Sequence, residues 1–143
     1  MKKVLIIIGL FSVLALGAKS QTILQDLYSN AASGVKPLDT ITNTATVTMT
    51  SSAVKGSPIG TTVGVVFTKL TGTVAGTATL KGSLNGTDWF TASSTTYTVT
   101  DLATQSKSWE LTGSPYLYFR VETVGSGTST YTVKGQVLTR NPK

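Results

Sequence analysis

Residues 44–50 alternate hydroxyl and apolar side chains without a break: Thr44, Ala45, Thr46, Val47, Thr48, Met49, Thr50. A β-strand sends successive side chains to opposite faces, so a period of two writes a sheet with one apolar face and one face of threonine hydroxyls. The same period, less strict, returns in most later segments, and all 27 threonines lie after residue 20. Such a chain is built to stack sheets, and nothing after residue 43 has the period of a helix.

The strand-like runs are short and separated by turn residues, the spacing expected of a sandwich or barrel. Residues 44–50 put Ala45, Val47 and Met49 inward; residues 62–70 do the same with Val63, Val65 and Phe67; residues 76–84 with Ala78, Leu80 and Leu84. Asn85-Gly86 fits the two positive-φ positions of a type I′ hairpin turn, after which Trp89-Phe90 opens the return strand. Residues 95–100 carry Tyr97 and Val99 inward, residues 106–112 carry Trp109 and Leu111, and Gly113-Ser114-Pro115 forces a turn. In residues 116–124, Leu117, Phe119 and Val121 share one face while Tyr116, Tyr118, Arg120 and Glu122 share the other. Residues 130–139 end the domain with Tyr131, Val133 and Val137 inward. About eight strands predict an all-β fold, an antiparallel two-sheet β-sandwich of jelly-roll or immunoglobulin-like type, with a partly open barrel as the alternative. The pattern leaves strand order open.

The N-terminus is read separately. Met1-Lys2-Lys3 is a short positive start, residues 4–18 are fifteen apolar or small residues, and Ala18-Lys19-Ser20 places small side chains where a signal peptidase reads them. Residues 1–20 are therefore expected to be a signal peptide cleaved before Gln21, since a membrane span needs roughly 20 apolar residues. Residues 21–43 are expected to be an arm or linker, and residues 44–143 the sandwich domain. In the arm, Ile23, Leu24, Leu27 and Tyr28 fall at helical spacing and could form one short amphipathic turn, broken by Gly34 and Pro37. The arm reads either as a flexible leader or as a segment that packs on a neighbouring subunit, by adding a strand for instance.

Twelve basic and six acidic side chains give a formal charge of +6, but Lys2, Lys3 and Lys19 belong to the leader. The remaining cations are scattered and form no track for a phosphate backbone, so no nucleic-acid partner is expected. With no Cys, sheet packing has to supply the stability that disulfides give many exported domains. With no His and no Cys, the usual neutral-pH base, thiol nucleophiles and Cys/His zinc sites are missing too. Asp88, Asp101, Glu110 and Glu122 stand singly, and strand ends or exposed faces account for each. A two-carboxylate glycosidase, a calcium loop, any other catalytic or metal site and a bound cofactor are accordingly not expected. Asn85-Gly86-Thr87 also matches a glycosylation acceptor, although the turn suffices to explain it.

The remaining candidates for contact are aromatic. Sugar-binding sandwiches stack pyranose rings on exposed aromatic side chains, and Trp89, Trp109, Tyr116 and Tyr118 are available. Trp109 shares a face with Leu111 and is assigned to the core. Of Trp89 and Phe90, alternation sends one outward. Tyr116 and Tyr118 lie opposite Leu117, Phe119 and Val121, over a second layer or as a surface patch.

Residues 68–89 read Thr-Lys-Leu-Thr-Gly-Thr-Val-Ala-Gly-Thr-Ala-Thr-Leu-Lys-Gly-Ser-Leu-Asn-Gly-Thr-Asp-Trp. With Gly113-Ser114-Pro115-Tyr116-Leu117-Tyr118-Phe119-Arg120 and Gly125-Ser126-Gly127, this resembles small β-sandwich proteins of tailed-phage structural genes, over residues 39–140. The N-terminus looks like that of exported proteins of the Bacteroidota type. The resemblance implies a structural or adhesive role on a virion or cell surface and carries over no functional residue, because the matched positions make turns. The sequence thus leads to a non-enzymatic, self-associating or docking protein displayed outside the cytoplasm, as a homo-oligomer or part of a larger assembly. The alternative is a secreted carbohydrate-binding module that recognises a surface glycan. The residues expected to make contact are Trp89, Tyr116, Tyr118, Ile23, Leu24, Leu27 and Tyr28.

Overall fold

The computed structural model describes residues 22–31, 34–56 and 58–142, so the expected signal peptide lies outside the described residues. Among the described residues twelve strands run β1 (Thr22–Asp26), β2 (Tyr28–Ala31), β3 (Gly34–Lys36), β4 (Leu38–Thr42), β5 (Thr46–Thr50), β6 (Gly60–Gly72), β7 (Ala75–Ser83), β8 (Phe90–Thr91), β9 (Tyr97–Val99), β10 (Thr104–Thr112), β11 (Tyr118–Ser126) and β12 (Ser129–Arg140). The smaller sheet has the order β1-β12-β6-β10, with β4 beside β1 along the same edge of β12. The larger sheet has the order β3-β2-β5-β11-β7-β8, with β9 also on β7. From β4 onward the chain changes sheet at each step except β7 to β9, and every pairing is antiparallel. This is jelly-roll connectivity, whereas an immunoglobulin sheet pairs more of its chain neighbours.

The alternation read from the sequence sets the core. Val47 and Met49, Val63, Val65 and Phe67, Ala78 and Leu80, Phe119 and Val121, and Tyr131, Val133 and Val137 all turn inward and are buried. Phe67 is the hub of an aromatic group, 6.0 Å from the Tyr97 ring and 6.2 Å from that of Tyr131 between centroids. Trp109 is buried as expected, and its indole N–H donates to the Thr95 carbonyl at 2.8 Å. On the opposite parity Thr46, Thr48 and Thr50 face outward. Thr61, Thr123 and Thr139 depart from the hydroxyl-out rule because their strands place them in phase with the core.

Residues 22–31 and 34–42 correct the reading of that stretch. No helical turn forms among them; β1 and β4 pair with β12, and β2 and β3 extend the larger sheet. Leu27 is the crossover between the sheets, fully buried, its N–H bonded to Gly135 O at 2.8 Å. The helical spacing of Ile23, Leu24, Leu27 and Tyr28 is an accident of two short strands joined by a crossover.

Further corrections concern strand ends. Ala45, Leu84 and Leu117 were expected inside and are exposed, because each lies just beyond the strand whose alternation it was assigned to. The Asn85-Gly86 segment is not a two-residue type I′ turn: only Gly86 has positive φ (80°), and β7 and β8 are separated by residues 84–89. Side chains hold that loop instead. Asn85 Oδ1 accepts from the N–H groups of Thr87 and Asp88, both at 2.9 Å, and Ser83 Oγ accepts from Gly86 N–H at 2.8 Å.

Candidate functional site

The outward face of the larger sheet carries the site. Its register sets Tyr28 on β2 opposite Thr50 on β5, Thr50 opposite Arg120 on β11, and Arg120 opposite Lys81 on β7. One strand pair along, Thr48, Glu122 and Thr79 make a parallel row. The loop of residues 84–89 then folds back over this face and brings Trp89 onto Arg120, whose guanidinium carbon is 4.4 Å from the indole centroid. The result is an open groove of about 590 Å³ between Tyr28 and Trp89, with Thr48, Thr50, Ser52 and Arg120 along it.

Electrostatics at the groove are asymmetric. Lys81 Nζ and Arg120 Nη2 both donate to Glu122 Oε2, at 3.0 and 3.4 Å, so two cations share one carboxylate. Arg120 makes no other hydrogen bond among the described residues, and its Nε is buried without a partner. Ser29, itself buried, donates its hydroxyl to Asp39 Oδ2 on β4 of the smaller sheet.

The structure separates the residues expected to make contact. Trp89 and Tyr28 come together as the two walls. Tyr118 lies at the edge, its ring under Gly86, where it supports the loop that carries Trp89. Tyr116 packs instead on the core, edge-on to Phe119 at 6.5 Å between centroids and against Gly82, which has no side chain to obstruct it. Ile23 points toward the inner face beside Thr139, Leu24 lies outside beside Leu138 on the smaller sheet, and Leu27 is buried, so with Tyr28 they form no common patch. Of Trp89 and Phe90, Phe90 is the one turned outward, 54% exposed on the two-residue edge strand β8, while Trp89 is part-buried against Arg120. The residue that sequence reasoning missed is Arg120, whose one signal was its parity with Tyr118 and Glu122.

Among the described residues no carboxylate lines the groove. Asp88 accepts from Asn85 Nδ2 at 2.7 Å, Asp101 from Lys69 at 2.8 Å and from the Val74 N–H at 2.9 Å, and Glu122 is shared as described. Among the described residues no three His, Cys, Asp or Glu side chains converge, and no helix is long and apolar enough to cross a membrane.

Fold and groove together define a jelly-roll β-sandwich with an open, aromatic-walled surface site. No family model matches the chain, and no curated protein matches it in sequence. Two solved structures superpose over most of it. One comprises the CBM22-1 and GH10 modules of Clostridium thermocellum endo-1,4-beta-D-xylanase 10B complexed with xylohexaose, at 14% identity and TM-score 0.47, over 85% of this chain and 25% of that one. The other is a mutant of CBM29-2, a family 29 carbohydrate-binding module, at 10% identity and TM-score 0.41, over 85% of this chain and 87% of that one. At these identities the likeness extends to the sandwich and no further.

Proposed function

We propose that this protein is a non-catalytic carbohydrate-binding sandwich, acting outside the cytoplasm, that holds a glycan in the groove between Tyr28 and Trp89. The observation that carries the reading is the pairing of two part-exposed aromatic walls with a hydroxyl- and guanidinium-lined floor. A pyranose ring has apolar faces suited to aromatic contact and a rim of hydroxyls suited to Thr48, Thr50, Ser52 and Arg120. An open groove on a rigid sheet also suits one stretch of a polymer, because the chain can continue past both ends. Self-association through a free N-terminal arm has less to recommend it, since β1 to β4 are spent on the chain's own sheets.

The test is affinity electrophoresis and calorimetry of the protein against a panel of soluble polysaccharides. At least one glycan is retained, and Trp89→Ala or Tyr28→Ala weakens it tenfold or more without changing the thermal midpoint by more than a few degrees. Absence of binding across the panel, or binding indifferent to both substitutions, overturns the reading.

A further inference from the structure

Among the described residues, Arg120 is the only charged side chain that lines the groove. Its guanidinium is fixed on one side by the Trp89 ring and donates one long hydrogen bond, at 3.4 Å, to a carboxylate that Lys81 holds more closely at 3.0 Å. Its Nε is buried, so the donors left for a ligand are those of the two terminal nitrogens, in a planar fork that matches a carboxylate. The surrounding charge agrees, because Lys81, Arg120 and Glu122 leave one positive charge over. Among the described residues no acid lines the groove: Asp39 is bonded to Ser29, and Asp88 to Asn85 within its own loop. A neutral sugar would offer Arg120 hydroxyl oxygens but no charge to answer the excess cation.

Resting on the glycan reading of the groove, we propose that its ligand is an acidic polysaccharide and that Arg120 receives the carboxylate of a hexuronate ring seated between Tyr28 and Trp89. The aromatic walls select a ring, the threonine hydroxyls its rim, and Arg120 its charge. Because the charge pair forms in an open groove, part of the affinity is screened by salt.

The experiment compares polygalacturonate, its methyl ester, neutral xylan and the sulfated galactan κ-carrageenan, titrated into the full chain at low and physiological salt. Polygalacturonate is expected to bind at least tenfold more tightly than its ester, which keeps the rings and loses the charge. Arg120→Gln abolishes that preference, Arg120→Lys retains part of it, and Lys134→Gln, which removes one exposed charge from the opposite sheet, leaves it intact. Equal loss in Arg120→Gln and Lys134→Gln marks diffuse ionic adsorption and overturns the proposal. Carrageenan binding as tight as polygalacturonate overturns the carboxylate assignment. If xylan binds as well as polygalacturonate and depends on Trp89, the acidic ligand is refuted while the glycan groove stands. If none of the four binds, both readings fall.

Discussion

The guanidinium of Arg120 sits 4.4 Å from the centre of the Trp89 indole, and that one contact joins a central strand to a six-residue loop. A cation held over an indole contributes about 0.5–2 kcal/mol depending on exposure. The contact therefore restrains Trp89 more than it stabilises the fold. Acrylamide quenching should resolve two tryptophans, Trp109 protected by burial and Trp89 accessible. Arg120→Gln should raise the quenching constant of the accessible one and lower stability by about 1 kcal/mol or less. Unchanged quenching would show that the loop holds Trp89 unaided.

Tyr116 occupies the space that a side chain at position 82 would need. A Cβ added to Gly82 would lie 2.3 Å from the Tyr116 ring, so Gly82→Ala must displace that ring from Phe119. Overpacking of this kind costs about 1–3 kcal/mol. Denaturant unfolding of Gly82→Ala, Tyr116→Ala and the double variant should reveal coupling, with alanine at 82 costing little once the ring is gone. Additive losses would count against the contact.

Ser51 continues the pairing of β5 with β11 by its side chain. Its backbone N–H donates to Phe119 O at 2.9 Å, and its Oγ accepts from Phe119 N–H, also at 2.9 Å and buried. Ser51→Ala strands that N–H inside the protein and should cost about 1–3 kcal/mol by equilibrium unfolding. Amide exchange at Phe119 should quicken in the variant.

At one end of the sandwich, Asp101 ties the β9–β10 connection to β6 and to the β6–β7 connection. The hydrogen bond from Lys69 and then that from the Val74 N–H hold its carboxyl below the usual carboxylate range. A lowered folded-state pKa favours the native state in full above the ordinary carboxylate value, and the benefit is lost as pH falls through the lowered one. Thermal midpoints of the protein and of Asp101→Asn should differ at about pH 6 and converge toward about pH 2. A constant gap would refute an ionic origin.

The core was legible in the sequence wherever a strand is long enough to show its period. Val63, Val65 and Phe67 in β6, or Tyr131, Val133 and Val137 in β12, repeat every second residue because one face meets the opposing sheet and the other meets water. The segment from β1 to β4 was not legible, because strands of three to five residues offer too few positions and change sheet at Leu27. Leu84 and Leu117 were misplaced for a related reason, since alternation stops constraining a side chain once the ladder ends.

The groove divides in the same way. Trp89 and Tyr28 stand out in the sequence as aromatic side chains in need of a partner, and the outward parity of Thr48, Thr50 and Arg120 follows from alternation alone. That these five meet was decided by tertiary structure. Their meeting depends on the registers of β2 on β5 and β5 on β11, and on a loop that folds across both. Alternation tells each residue which face it occupies, a local consequence of backbone geometry. Which strand lies beside it is settled by the packing of the whole sandwich, and no local pattern encodes that choice.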